Sequence, residues 1–509
     1  MVNQKNYDTE FCGNLAIHQT NSIQDYGFLL VVDKANLEIV QGSENLQDLL
    51  TVPIHTLIGT NLADLLSSTD LENMKKEIAK GNRNRIPFQL SIDTQAGALA
   101  LDILAHVKDS YFILEIEKGD SLPERSFTEV FQEVRSFISI LEGTENLQHI
   151  CEESIREIRR ISGFDGIRMY QFDGDWNGTV IAEEITGELE SYLGQTFPAS
   201  DVPKQARALY VKNPFRLIPN RAYRASRLFP VINPITNGFL DLSDCNLRSI
   251  AGVHLEYMAN MNVTASMSIR VMVDGRLWGL ISCHHTSPKY LSSEHRSIFE
   301  WLSMEISYRI SAVIKQEELQ SASALFQQKS SITENIFNKG DIILGITQDE
   351  QQYLATMFSA SGFSIVLDGK VTSWGITPKQ EDLDGLLLWA ENRSLGNVFA
   401  TNELGSVYEE AKEFREIASG ALVIPINRKP GNFLICFRPE SIRDIKWGGD
   451  PNQAINFEKD GINYHPRNSF KLWLQTVYGQ SKPWSTTELE IAESLKGFFS
   501  EFSSNRFYH

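Results

Sequence analysis

Between residues 23 and 117 apolar positions come in short alternating runs. "YGFLLVVD" (26–33) and "LEIVQGS" (37–43) flank a turn, and "YFILEIE" (111–117) repeats the period of two, so strands are expected there. "LADLL" (62–66) and "LENMKKEIA" (71–79) carry helical spacing between them. Together these make a small α/β domain. Ser126 and Glu129 have the spacing of a capping box and open a helical stretch that breaks at Gly143 and ends near Ser162. "GIRMYQF" (166–172) and "GTVIAEE" (178–184) read as strands, and 265–285 as a hairpin turning on Asp274–Gly275, a pair suited to a type I′ turn.

From Ser292 to Phe337 there is neither Gly nor Pro, and Ile298, Leu302, Ile306, Ile310 and Val313 recur at helical spacing. One helix over this stretch would run ~70 Å at ~1.5 Å per residue, too long for a single domain, so it is expected to join domains or to pair with a second copy. Residues 340–485 echo the middle of the chain. "GNFLICFRPE" (431–440) stands where "LWGLISCHH" (277–285) stood, and "PWSTTELEIAESL" (483–495) parallels "PKYLSSEHRSIFEWL" (288–302). The echo predicts two related domains, each ending in a helix. The last helix opens on a second capping-box spacing, Ser485 to Glu488, and its stripe of Leu495, Phe498, Phe499 and Phe502 is expected to want a partner, as in a parallel homodimer joined through coiled-coil-like helices.

Composition sharpens this picture. At ~150 residues per domain, a chain of 509 residues suggests about three domains, and 42% hydrophobic content with eight Trp and 28 Phe supplies their cores. A formal charge of −18 argues against nucleic acid or an anionic membrane as partner. The start "MVNQKNYDTEFCGN" lacks the apolar centre of a signal peptide, and no apolar run approaches the ~20 residues of a membrane span, so a cytoplasmic location is expected. Five scattered cysteines without a CxxC pair indicate reduced thiols. Cys12, in a polar stretch ahead of any predicted element, is either a tail residue or a reactive nucleophile.

The candidate chemistry gathers in the middle. Asp201 precedes Pro203 in "FPASDVPKQARALY" (197–210) and is either a helix cap or a ligand-binding group. Arg216 and Arg248 supply cations, and His254, Tyr257 and Met258 share one helical face. Ser266 and Ser268 point the same way, whereas in Cys283–His284–His285 the middle residue points away from its neighbours. That alternation splits the triplet as a metal site, so no metal is expected. Nucleophile-elbow, Walker and dinucleotide glycine patterns are missing too. Singly each residue has an ordinary structural reading. Together they describe a pocket for a large planar ligand bearing carboxylates.

These residues carry a resemblance. "PASDVPKQAR", "LRSIAGVHLEYMANM" and "LWGLISCHH" resemble the bilin-binding GAF domain of phytochromes. "WGGDP" (447–451) and "PRNSF" (466–470) resemble the tongue of their PHY domain, and "FCGNLAIHQTNSIQDYG" (11–27) resembles the segment before the PAS domain in bacterial phytochromes. The resemblance implies an α+β architecture of antiparallel sheets joined by long helices. An N-terminal segment (1–22) would precede a PAS domain (23–120), a GAF domain (121–315), a PHY domain (316–485, tongue about 440–477) and a linker helix (486–509) to an absent output domain.

It also implies roles. Plant and cyanobacterial members attach the pigment at a cysteine just before the GAF histidine. That position is Val253 here, so attachment would fall to Cys12, as a thioether to biliverdin. Arg216, Arg248 and Tyr210 would hold one propionate, and Ser266, Ser268 and His254 the other or the pyrrole water. The main-chain carbonyl of Asp201 would take the pyrrole N–H groups, His284 the ring D carbonyl, and Tyr170, Phe197 and Tyr257 would pack about that ring. The Asp201 side chain would face the tongue around Trp447, pairing with Arg467 before light and Ser469 after it, as the tongue refolds from strand to helix. Expected partners are a second copy, through a helical bundle, and an output domain or response regulator. No histidine-kinase or diguanylate-cyclase sequence follows Phe502, so the chain itself is not expected to be an enzyme. The alternative is a light-insensitive GAF-type sensor of another small ligand. Two departures are Val202 for the commoner isoleucine and "IQDYG" where many relatives carry proline and histidine, which bears on PAS–GAF packing.

Overall fold

The computed structural model describes residues 16–79, 85–94, 97–119, 127–187, 189–347, 351–393, 396–427, 429–451, 455–457, 464–466 and 469–505. They form two compact units. One runs to Val313 and includes Lys446–Trp473; the other comprises Ile314–Ile445 and the residues from Leu474 on.

The first unit begins with a seven-stranded antiparallel sheet, in the order Ser22–Ile23, Ser226–Phe229, Ile39–Ser43, Phe28–Asp33, Tyr111–Lys118, Gly97–Val107, Arg85–Thr94. The strand Phe28–Asp33 is apolar without interruption up to Val32 because both its faces are covered. Leu30 and Val32 join a core with Met74 of the helix Ser68–Ala79, while Leu29 and Val31 pack on Leu228, Leu240 and Leu247. The second strand in that order comes from far along the chain. Residues 226–249 bond the N-terminal segment from both sides: Leu228 N donates to Asn21 O (3.1 Å), Leu242 N to His18 O (2.9 Å) and Ser249 N to Ser22 O (3.1 Å). The hairpin 85–107 was not foreseen in the sequence. Ile86, Phe88, Leu90 and Ile92 do alternate, but Pro87 obscures the pattern, and it is tolerated because its strand lies at the sheet edge.

The middle region has the two helices expected around Gly143, Phe127–Glu142 and Leu147–Ser162; Ser126, of the first capping box, lies outside the described residues. Its sheet runs Phe215–Ile218, Ala265–Val273, Arg276–His285, Gly166–Phe172, Gly178–Ile185, Thr196–Phe197. The hairpin turns at Asp274 (φ 48°) and Gly275 (φ 73°), as a type I′ turn requires. Gly279 is fixed by contact: a Cβ there would lie 2.2 Å from the carbonyl oxygen of Tyr170 on the adjacent strand. The helix Ser293–Lys339 runs 47 residues, close to the expected stretch from Ser292 to Phe337, and Ile298, Leu302, Ile306, Ile310 and Val313 form a buried stripe on it. Its first turns are tied to the first sheet by Arg296–Glu117 (2.6 Å) and Ser293–Asp102 (2.6 Å).

The second unit repeats the middle topology. Its sheet order, Lys370–Gly375, Gly362–Leu367, Phe433–Arg438, Gly420–Pro425, Phe399–Thr401, places its first, second, third and fourth long strands as the middle sheet places 166–172, 178–185, 265–273 and 276–285. The echo in the sequence is thus an echo in strand order. The terminal helix Thr486–Asn505 corrects one expectation. Leu495 and Phe499 are buried in this unit's own core with Ile332, Ile336 and Phe363, and Phe498 and Phe502 pack against it, so the stripe is satisfied within the domain. The second capping box is present: Ser485 N donates to Glu488 Oε2 (2.7 Å) and Glu488 N to Ser485 Oγ (3.2 Å). Among the described residues no helix is long and apolar enough to cross a membrane.

Glu488 is also the only carboxylate among the described residues bonded to the buried guanidinium of Arg438, which lies 3.6 Å from the Trp484 ring centroid. Glu488→Gln keeps the side-chain shape and leaves that cation its bonds to the Phe358, Lys482 and Pro483 carbonyls but removes its counter-charge. It is expected to cost the second unit about 3–5 kcal/mol, read as a lowered denaturant midpoint; an unchanged midpoint would contradict the assigned role.

Candidate functional site

All eleven middle-region residues singled out above for ligand binding line one cavity. Its floor is the hairpin: Ser266 and Ser268 face in from one strand and Ser282 and His284 from the next, while Met267 and Cys283 turn into the core. His285 points elsewhere, its Nδ1 2.9 Å from Asp165. The roof is two short helices. Pro203 (φ −65°) opens Lys204–Lys212, which carries Tyr210, and Gly252–Asn260 carries His254, Tyr257 and Met258.

One end is cationic. Arg216 donates to the main-chain carbonyl of Arg248 (2.6 Å), which pins the loop that presents Arg248. Arg248 is 4% exposed, and its Nε and Nη1 have no hydrogen-bond partner; neither has the Ser249 hydroxyl. Burial, with the neighbouring Arg216, pushes Arg248 down to about 9, and burial lowers Arg216. Buried, unpaired guanidinium donors of this kind are matched by carboxylates, which take them as charge-assisted pairs.

The other end is aromatic. Phe197 meets Tyr170 (5.6 Å) and Tyr192 (5.5 Å) edge-on, and Tyr257 meets Phe470 (5.1 Å) and stacks with His254 (6.0 Å). The Tyr257 hydroxyl donates to Asp201 Oδ2 at 2.7 Å, so Asp201 joins the 3₁₀ turn Ala199–Asp201 to the opposite helix. Burial, then Arg216, holds His254 neutral by lowering it to about 4. His284 is lowered by burial and by Arg168, whose Nη1 lies 3.1 Å from its Nδ1.

The described pieces of 446–473 lie over this end. Trp447 pairs in parallel with Thr196, and Gly448 has no room for a side chain, since a Cβ would sit 2.6 Å from the Phe197 ring. The described pieces Ile455–Phe457 and Tyr464–Pro466 pair as antiparallel strands, and Pro466 reaches the cavity wall. Ser469 is exposed and Phe470 buried; Cys12 and Arg467 lie outside the described residues. Ile17 lines the cavity, as do Val253 and the buried Cys245, whose thiol burial pushes well above its ordinary range. In "IQDYG", Gln24 donates to Leu217 O (3.2 Å), Asp25 accepts from Arg224 N (2.9 Å) and Tyr26 packs on Tyr290 (5.8 Å), so the departure is accommodated between the first two domains. Sequence reasoning passed over Arg168, Tyr192, Ser282 and Phe470. Arg168, the charged residue inside the apolar strand "GIRMYQF", was the visible signal.

Three family descriptions match the chain: "PAS fold" over 12–118, "GAF domain" over 146–310 and "Phytochrome region" over 326–506. Cyanobacterial phytochrome B of Nostoc sp. is 36% identical over 96% of this chain, which spans 65% of that relative's length. A bacteriophytochrome of Xanthomonas campestris is 30% identical over 98% of this chain and 80% of its own. Among solved structures, a bacteriophytochrome from the photosynthetic bacterium R. palustris superposes with a TM-score of 0.84 at 34% identity, covering 96% of this chain and 98% of that one. The Stigmatella aurantiaca phytochrome photosensory core module gives 0.83 at 33%, over 97% and 98%. With these matches running through all three domains, the chain belongs to the phytochrome family.

Proposed function

We propose that this chain is the photosensory part of a red/far-red light receptor that carries biliverdin, a linear tetrapyrrole, on Cys12. The observation that carries the reading is the buried Arg248, with unpartnered guanidinium donors, beside the half-buried Arg216 at one end of a largely apolar cavity. A flat ligand with two propionates matches that charge, and the neutral ring of His254 with Ser266 and Ser268 matches its polar middle. Bound there, the pigment would supply absorption of light and rotation of its terminal ring.

The chain's own residues would do the rest. Arg216, Arg248 and Tyr210 would anchor one propionate, and Ser266, Ser268 and His254 the other. The main-chain carbonyl of Asp201 would accept pyrrole N–H groups. His284 would donate to the terminal carbonyl inside the Tyr170–Phe197–Tyr257 cage. Cys12 precedes Ile17 of the cavity wall by five residues, a reach of at most about 17 Å of chain. Cys245 lines the cavity too, but its thiol is held protonated by burial and is a poor nucleophile. Asp201 shares the cavity wall with Pro466 of the covering segment, in which Ile455–Phe457 and Tyr464–Pro466 are strands, and is suited to exchange partners with Arg467 and Ser469 as that segment refolds.

A homodimer fits the long helix, where Met304 and Tyr308, one turn apart, are 59% and 72% exposed, beside exposed Phe131 and Ile140 of Phe127–Glu142. The change would pass to an output domain or response regulator. Any catalysis, a histidine kinase's or a diguanylate cyclase's, would belong there. A cytoplasmic location goes with this reading.

The test is the absorbance of the protein mixed with biliverdin, before and after red light, beside Cys12→Ser and Cys245→Ser. A red band that shifts to the far-red and survives acid-urea denaturation only when Cys12 is present is the expected result. If no pigment is taken up, the chain is a small-ligand sensor of another kind. A second expectation concerns the latch: Asp201→Ala should bind biliverdin but photoconvert poorly. Normal photoconversion with normal infrared changes in the covering segment would remove Asp201 from the switch.

A further inference from the structure

Both ring nitrogens of His284 are engaged by side chains. Nδ1 lies 3.1 Å from Arg168 Nη1, and Nε2 lies 2.8 Å from Ser282 Oγ. A guanidinium only donates, and it keeps its protons in a protein. Nδ1 therefore accepts from Arg168, and in the neutral ring the proton sits on Nε2 and is donated to Ser282. Arg168 has no freedom to do otherwise. It is 1% exposed, its Nε donates to Glu183 Oε1 (2.7 Å), its Nη2 donates to the Glu190 carbonyl (2.6 Å), and its guanidinium lies 4.7 Å from the Tyr192 ring centroid. Glu183, Arg168 and His284 sit on three adjacent strands, Gly178–Ile185, Gly166–Phe172 and Arg276–His285.

We propose that Arg168, anchored by Glu183, is a positioning residue that holds His284 as a neutral Nε2–H donor, and that Ser282 is the acceptor this N–H uses whenever a ligand carbonyl does not take it. A buried arginine needs no such task if it only pins the loop at Glu190, and the two roles differ in what they do to the imidazole. The other group bearing on His284 is His254, itself neutral; burial acts in the same direction. Because burial remains when Arg168 is removed, the readout is which nitrogen holds the proton, not whether the ring is charged. With Nδ1 always occupied by a donor, the ring cannot swap tautomers. The ligand then meets a donor of fixed direction, with Ser282 as the competing acceptor. The consequence for a pigment rests on the light-receptor reading above; the tautomer does not.

The experiment is ¹⁵N NMR of the pigment-free chain labelled in histidine, with the His284 signals identified by their loss in His284→Gln. The unaltered chain should show one neutral tautomer, protonated on Nε2 with Nδ1 an acceptor, across about pH 6 to 8. A proton on Nδ1 would overturn the proposal without any variant. Arg168→Met should lose the single tautomer and Arg168→Lys should restore it; an unchanged tautomer in folded Arg168→Met would also overturn it. In pigment-bearing protein, Ser282→Ala should lower the infrared stretch of the terminal carbonyl and Arg168→Met should raise it. Unmoved stretches would refute the competition with Ser282. Failure to take up pigment would count against the light-receptor reading and leave the tautomer result standing.

Discussion

The cavity depends on holding two guanidiniums next to each other, that of Arg248 buried and that of Arg216 half-buried. Arg248 has donors with no partner and Arg216 directs its Nη2 to the carbonyls of 248 and 249, an arrangement the chain must impose because the two cations repel. The first domain imposes it. Glu115, held by His106 at 2.8 Å, accepts from Leu247 N (2.6 Å), and Ile23 bridges directly to Arg248. The Gln24 amide donates to the carbonyls of Leu217 and Asn246 (3.2 and 3.3 Å), beside both arginines. The interleaving of residues 18–24 with 226–249 is therefore more than a joint between domains. It fixes the loop that aims Arg248 into the cavity.

The aromatic end is built on another principle. Its cohesion comes from ring contacts among Phe197, Tyr170, Tyr192, Tyr257 and Phe470, which can slide and rotate more readily than a charge pair can be broken. Among the contacts of the described residues, the Tyr257 hydroxyl bonds Asp201 across it. A cavity rigid at its cationic end and adaptable at its aromatic end suits a ligand anchored by carboxylates and free to rearrange at its far ring.

How much was legible beforehand follows from the range of each signal. Alternation and helical spacing marked the strand 166–172, the hairpin 265–285 and the 47-residue helix because those patterns are local. The pocket residues were recognisable because polar side chains recur in otherwise apolar elements and because the motifs resemble a known family. Non-local pairings left no such trace. Nothing near Ser226 announces that it joins the sheet of residues 28–118, and Leu495 and Phe499 looked unpartnered because the core that receives them, around Ile332 and Phe363, lies far away in sequence. Arg168 was visible as a charge in an apolar strand, but its meaning needed His284 and Glu183 beside it.

The most direct test of the account compares two ligands that differ at the propionates, one charged and one esterified. Reversible binding of biliverdin and of its propionate dimethyl ester would be measured on Cys12→Ser protein, where no thioether at that position can mask the equilibrium. Two charge-assisted bonds at about 1.5 kcal/mol each predict that the ester binds about 100-fold more weakly. Equal affinity would mean that Arg216 and Arg248 do not read carboxylates, and the account of the cavity would fail.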